Sequence, residues 1–344
     1  MRSPARGQAT DTHGHQRWLY DLTTLTLFGT TGFNRYTRGD VRARAQREAR
    51  GLTVLGYVLL CLIWGSTWLG IKVGLDAGMP PLLGVSLRFA IAALVLVPLA
   101  WFSGRAAFRD RVAWRLAVLV GVCSFGVGYG CTYIGGMYVP SGLGSLTFGV
   151  FPFWVAVLAH FILGDRLTSG KLVAIATGMA GLLTLYSGSL RELGPESLFG
   201  VAIITSSVLV QGFGQVYVKR DGANVPAAFL SGMGMLIGSL LLVAMAGVRG
   251  EWSEPFPLTL PVVASIGYLA VFGSIVTFLI YYRLLKQLSA TLMAMVALIT
   301  PPIAVVLGLL FKGERLGVIT MTGGALVLLG VFLFQLAERR APRK

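Results

Sequence analysis

A seventeen-residue segment of this chain occurs twice, and that recurrence constrains the fold more than any other feature. Phe151–Leu167 reads Phe-Pro-Phe-Trp-Val-Ala-Val-Leu-Ala-His-Phe-Ile-Leu-Gly-Asp-Arg-Leu, and Thr300–Leu316 reads Thr-Pro-Pro-Ile-Ala-Val-Val-Leu-Gly-Leu-Leu-Phe-Lys-Gly-Glu-Arg-Leu. In each copy a proline stands thirteen residues before an acid that is followed by Arg-Leu, Pro152 to Asp165 and Pro301 to Glu314, with apolar sequence between. The offset of 149 is kept elsewhere, by Tyr133 with Tyr282 and by Gly181-Leu182-Leu183 with Gly330-Val331-Phe332. The chain is built from two like halves.

The solvent of those halves is lipid. Hydrophobic residues make up 55% and charged residues 12% of the sequence, with a mean hydropathy of +0.74, against roughly 25% charge in a soluble globular domain. From Leu55 onward, apolar stretches of about twenty residues recur, each long enough to cross a hydrocarbon core of roughly 30 Å. Ten spans are predicted, at about 54–74, 81–102, 114–136, 142–163, 170–187, 198–218, 226–247, 261–283, 290–312 and 317–337. The expected fold is therefore all-α and integral to the membrane, with ten transmembrane helices arranged as two five-helix repeats. Five is odd, so the halves cross in opposite senses and form an inverted-topology repeat, the internal symmetry of many secondary transporters.

The net charge of +15 is topological and gives no sign of nucleic-acid binding. Nine of the 29 basic residues lie in the first fifty positions and four in the last six. Basic residues stay on the cytoplasmic side, so an even number of spans puts both termini there. Loops assigned to that side carry Arg105, Arg109, Arg111, Arg115, Arg166, Lys171, Lys219, Arg220, Arg283 and Lys286 against Asp110, Asp165 and Asp221. Residues 1–53, aperiodic and without the apolar core and cleavage site of a signal peptide, are expected to form a flexible basic tail, and 338–344 a second. The halves occupy 54–187 and 198–337. Cys61, Cys123 and Cys131 sit in apolar stretches with neither disulfide nor zinc spacing, and neither a metal site nor a cofactor is indicated.

Ile63-Trp64-Gly65-Ser66-Thr67-Trp68, Ser86-Leu87-Arg88-Phe89 and the two proline-to-acid-Arg-Leu segments resemble EamA-type members of the drug/metabolite transporter superfamily. The resemblance covers about 54–337, and its one departure is Asp165 where Glu is more usual. It implies an exporter-like fold with a central cavity between the halves and with the fifth and tenth helices peripheral.

Candidate solute-binding residues follow from their types and positions. Arg88 is the only basic residue predicted well inside a span; it lies seven residues beyond Pro81, about 10 Å along a helix, and a guanidinium there either binds a carboxylate or phosphate or makes a structural pairing. Trp64 and Trp68 share a helix face at i,i+4 spacing beside Ser66 and Thr67, a pattern that suits either a pocket for an amphipathic solute or helix packing with the hydroxyls bonded to the preceding turn. Tyr129, Tyr133 and Trp154 from the first half, and Gln211, Gln215, Tyr281 and Tyr282 from the second, complete the set; Tyr282, followed by Arg283, also suits an interfacial anchor. Pro152 and Pro301 lack an amide hydrogen, and each is expected to loosen one turn of its helix, as a hinge or a static bend. Gly126 with Gly130, and Gly234 with Gly238, have the spacing of close helix crossings. The Asp165-Arg166 and Glu314-Arg315 corners suit local pairing or capping of the next helix.

No Asp or Glu falls in the hydrocarbon part of a predicted span, so proton coupling through an intramembrane carboxylate is unsupported. His160, five residues before Asp165, suits an interfacial position. Neither a zincin, a nucleophile-elbow nor a Walker motif is present. The sequence thus reads as a non-enzymatic carrier in the plasma membrane whose partners are a small-molecule solute and the bilayer, with no nucleic acid. An amino acid is one such solute, and export by alternating access is the expected mode. A non-transporting scaffold or receptor is the alternative; oligomeric state, substrate and coupling ion are not readable.

Overall fold

The structure is a computed structural model that describes residues 38–139, 141–185, 187, 194–253, 255–303 and 318–340. The tail before residue 38, the Glu314-Arg315 corner, the predicted end of the ninth span to 312 and residues 341–344 lie outside the described residues. The chain divides by packing into Met1–Gly51 and Leu52–Lys344. Of the first unit, residues 38–51 are helical, which corrects the expectation of an aperiodic tail to 53: Val41–Arg50 reads Val-Arg-Ala-Arg-Ala-Gln-Arg-Glu-Ala-Arg, made almost wholly of strong helix formers. Residues 338–340, expected as tail, are also helical.

Among the described residues the helices follow in the order α1 Arg38–Asp76, α2 Pro81–Gly104, α3 Arg111–Tyr138, α4 in two segments Ser141–Phe148 and Phe151–Leu163, α5 Ser169–Leu185, α6 Pro195–Asp221, α7 Ala227–Val248, α8 Leu260–Gln287, α9 Ala290–Ile303 and α10 Val318–Arg340. No strand occurs among the described residues. Eight of these helices carry a stretch long and apolar enough to cross a membrane; in α5 and α9 the apolar stretches, Ser169–Thr184 and Ala290–Ile303, are shorter. The surface is apolar where a soluble protein's would be polar. Leu94 and Phe161 are 77% and 78% exposed, whereas Arg88 and Gln215 are 1% and 4% exposed. That inversion identifies a multi-pass membrane protein, whose backbone must satisfy its hydrogen bonds internally.

Local sequence sets the helix ends. Proline occupies the first turn of α2, α6 and α8, where its missing N–H costs nothing. Asp110 accepts from the Val112 amide to cap α3, and Ser289 caps α9 through the Leu292 amide. Gly164 ends α4 with φ +70°, and the amides of Gly164 and Asp165 both return to the Ala159 carbonyl; the glycine of the first Gly-acid-Arg-Leu motif is thus a left-handed helix stop. The hydroxyl that caps α5 belongs to Thr168, which accepts from the Lys171 amide at 3.4 Å.

The α2 N-terminus is capped from the other half of the chain. The Glu251 carboxylate accepts from the Leu82 and Leu83 amides, each at 3.0 Å, and pairs with Arg249 Nε at 3.3 Å. Its charge opposes the helix dipole where two orphan N–H groups need a partner. Glu251→Ala is expected to cost about 1–2 kcal/mol, read as a lower melting temperature of the purified protein; an unchanged melting temperature would contradict this.

Helix packing follows the repeat. α2 packs on α7, α5 on α10, α3 on α7 and α8 on α2. The glycine pair of the internal alignment explains the α5–α10 contact: a Cβ on Gly181 would meet the Val327 nitrogen at 2.6 Å, and one on Gly330 the Gly178 nitrogen at 2.6 Å. The two backbones touch there. Gly234 and Gly238 likewise face α3, where a Cβ would meet Val120 at 2.8 Å and Phe125 at 2.5 Å. Both α3 and α8 contain a π-helical turn, Val120–Gly128 and Val271–Val276; the repeat offset carries 120–128 onto 269–277, which brackets the second.

Candidate solute-binding cavity

A cavity of about 100 Å³ lies among α1, α2, α3, α4, α6, α8 and α9, room for roughly seven to ten water positions and below the usual range for drug-sized ligands. Nine of the twelve candidate residues line it. α1 contributes Trp64, Thr67 and Trp68, α2 Arg88 and α3 Tyr129; α6 contributes Gln211 and Gln215, and α8 Tyr281 and Tyr282. These nine residues come from five helices spread over both halves, so only the fold brings the set together.

Arg88 is the electrostatic centre of this wall. Its Nε donates to Ser274 Oγ at 2.8 Å, Nη1 to Tyr133 Oη at 3.2 Å and Nη2 to the Gly273 carbonyl at 2.7 Å. The guanidinium also lies 5.2 Å from the ring centroids of both Phe89 and Tyr129, within cation–π range. None of the ion pairs among the described residues involves Arg88. Three of its five N–H donors are engaged in these bonds, and the side chain of Tyr129, on the cavity wall, is a further hydrogen-bond partner of the guanidinium. The apolar wall is aromatic: Trp64 meets Phe278 and Tyr281 at 5.6 and 5.3 Å, and Tyr281 meets Tyr282 at 5.2 Å. Tyr282, which also suited an interfacial position, is 3% exposed inside this cluster.

Two polar atoms beside the cavity have no partner, the Trp64 indole N–H and Gln215 Oε1; the Gln215 amide nitrogen donates to the Ala290 carbonyl. Gln211 donates to Ser207 Oγ at 2.7 Å, and Ser207 bonds Thr132 at 2.7 Å, which joins α6 to α3 along one edge.

Three candidates lie off the wall. Ser66 Oγ donates to the Ile63 carbonyl at 2.7 Å and meets the Tyr268 hydroxyl at 2.5 Å. Tyr133 is fully buried behind Arg88. Trp154 donates to the Leu209 carbonyl at 2.9 Å and packs on Phe213, joining α4 to α6. Thr67, though on the wall, donates to the Trp64 carbonyl at 2.8 Å, the backbone alternative read from sequence. His160 bonds the Asp165 carbonyl at the end of α4. Sequence reading missed Ser274 and Gly273, which hold Arg88, and Thr300 and Ser124, which line the cavity; small residues in apolar runs carry no signal of which way they face. Pro152 sits beside a break, α4 being interrupted at Gly149–Val150 just before it, whereas Pro301 lies within continuous helix, six residues past an interruption of α9 at Met295. A proline ring clashes with the carbonyl four residues earlier, and for Pro152 that residue is Phe148, where the first segment of α4 ends.

An apolar-surfaced helical bundle around a small aromatic cavity, with a buried guanidinium that has no acid partner among the described residues, defines a polytopic membrane protein with an interior cavity. Comparison with known proteins gives the particular family. The model of the EamA-like transporter family matches residues 51–187 and again 198–336, and the chain belongs to that family. It is similar to the uncharacterized inner membrane transporter YedA of Escherichia coli (strain K12), 29% identical over 83% of this chain and 91% of that protein. The uncharacterized transporter YoaV of Bacillus subtilis (strain 168) is 24% identical over 81% of this chain and 95% of its own length. A solved crystal structure superposes with a TM-score of 0.70 at 19% identity, covering 84% of this chain and 98% of that one, and shows the fold.

Proposed function

We propose that the protein is a secondary carrier that moves a small organic solute bearing an anionic group, an amino acid carboxylate being one example, across the plasma membrane. The observation that carries this reading is Arg88: a guanidinium 1% exposed, without an acid partner among the described residues, on the wall of the cavity. An isolated buried cation is costly unless a counter-charge joins it, and a solute carboxylate or phosphate supplies one at the edge of the guanidinium that faces the cavity. Trp64, Trp68, Tyr129, Tyr281 and Tyr282 would hold the apolar part of the solute, and Gln211 and Gln215 its polar remainder. Ten crossings, inverted halves at 54–187 and 198–337, cytoplasmic termini and export complete the reading. The repeat and the loop charges support the first three, and the family resemblance supports the last. Untargeted metabolite profiling of cells with and without the gene tests it: accumulation of anionic or zwitterionic solutes inside deleted cells is expected, and identical profiles would count against it.

Alternating access requires helices that bend; the interruption beside Pro152 supports that role there, and for Pro301 the support is its matching place in the repeat. Pro152→Ala is expected to slow flux several-fold while leaving solute affinity near wild type, as the restored α4 segment resists bending. Equal loss of both would contradict the hinge. The alternative, a non-transporting scaffold or receptor, predicts no flux of any solute from purified protein in liposomes.

A further inference from the structure

The two π-helical turns occupy equivalent places in the two halves, yet their surroundings differ in one respect. Each π turn packs against the second helix of the opposite half, that of α3 on α7 and that of α8 on α2. In the first half the π turn of α3 meets Ile237, which a Cβ on Gly121 would approach to 2.8 Å. In the second half the π turn of α8 meets the guanidinium of Arg88. A shared backbone device therefore serves packing on one side and a charge on the other.

Its chemistry explains why. A π turn shifts helix hydrogen bonds by one residue and exposes carbonyls that a regular helix would occupy, and such turns concentrate at functional sites. Here Ser274 Oγ donates to the Leu269 carbonyl, five residues back, at 3.0 Å, and accepts from Arg88 Nε. The Gly273 carbonyl accepts from Nη2. Gly273 has no side chain in the way: a Cβ there would meet Arg88 Nη2 at 3.1 Å and Thr67 at 3.1 Å. Tyr133, from α3, closes the third side. The guanidinium plane is thus set by groups on two helices other than its own, each buried, and one of them belongs to the opposite half of the repeat.

We propose that the π turn Val271–Val276, through Gly273 and Ser274, with Tyr133, is the positioning element that sets the edge of the Arg88 guanidinium presented to the cavity beside Tyr129. This deepens the anion-binding reading of the cavity and rests on it. A guanidinium of fixed plane selects a planar or tetrahedral oxyanion over an amide of equal size, because two aligned donors meet two acceptor oxygens only in one orientation. The contact also joins α2 to α8 across the two halves, so an anion that draws on Arg88 competes with Gly273 and Ser274 for the same charge. Solute binding then weakens a joint between the halves.

The test uses full-length protein with ¹⁵N-labelled arginine in lipid nanodiscs, observing the Nε–H signals by NMR. Wild-type protein is expected to show one slowly exchanging arginine Nε–H that disappears in Arg88→Lys. Ser274→Ala and Gly273→Ala should move that signal and speed its exchange at least about tenfold, the loss of one charge-assisted hydrogen bond. Tyr133→Phe should move the Nη signals and leave Nε–H protected. Gly267→Ala, in the same helix with nothing within 4 Å of its added Cβ, should change neither. An Arg88 Nε–H that exchanges as fast as exposed arginines, or one unmoved by Ser274→Ala and Gly273→Ala, would overturn the proposal. Benzoate and benzamide are then added at equal concentration. Movement of the wild-type Arg88 signals by benzoate only, and loss of that selectivity in Ser274→Ala, is the expected result. Held geometry with no response to benzoate leaves the positioning intact and counts against the anion-binding reading instead.

Discussion

Arg88→Ala is expected to lower carrier-mediated flux of the anionic solute by about 100-fold or more while the protein still folds and inserts. Truncating one partner of a buried, hydrogen-bonded charge pair costs about 2–5 kcal/mol, and 2.8 kcal/mol is already two decades in binding. The fold shares only part of that loss: the hydrogen bonds to Ser274, Gly273 and Tyr133 go, but so does the cost of burying a guanidinium without an acid partner. Arg88→Lys should fall between: the charge stays, but an ammonium cannot reproduce the planar donor geometry that Ser274, Gly273 and Tyr133 accept. Flux and expression measured together check this. A variant that is expressed, folded and transports at the wild-type rate would remove Arg88 from the binding site.

The largest effect on the fold is expected at the α5–α10 crossing. Gly330→Val places a β-branched side chain where the Gly178 nitrogen and the Ala174 carbonyl already lie within 2.6 and 2.8 Å of the Cβ position. Backbone cannot yield as a side-chain tip does, so the helices must separate along their length and lose the packing around Leu182, Val327 and Val331. A cost of about 3 kcal/mol or more is expected, at the upper end for overpacking, seen as sharply reduced monodisperse protein after extraction. Gly324→Ala, with open space around its Cβ position, is the matched control and should extract as wild type. Equal yields from both variants would mean that the two backbones do not meet as described.

Much of this architecture was legible because lipid imposes simple rules. Apolar runs of sufficient length mark the helices, and the offset of 149 paired Gly181 with Gly330 before either was seen at a crossing. The cavity was partly legible for a similar reason: Arg88, Trp64 and the glutamines are polar or amphipathic groups with no cause to be inside a span except to face an interior. What the sequence hid was direction within a helix. Trp154 and Ser66 belong to the same types as the residues that line the cavity, but each is turned to a neighbouring backbone or side chain. Tyr133 has the same chemistry as Tyr129 and stands four residues from it, one helical turn, yet it supports the guanidinium from behind. The π turns were also invisible, since nothing in Val-Phe-Gly-Ser-Ile-Val marks a shifted hydrogen-bond register. Helix in 38–51 was missed because the stretch was read together with the aperiodic residues before it, although its own residues are good helix formers.

The central claim is that the cavity carries a solute by its negative group, and the most direct measurement is uptake into proteoliposomes from a whole metabolite extract, analysed by mass spectrometry. Wild-type vesicles should accumulate a subset of carboxylate- or phosphate-bearing solutes, and Arg88→Ala vesicles should not accumulate that same subset. Accumulation of neutral or cationic solutes alone, equal in both preparations, would contradict the account.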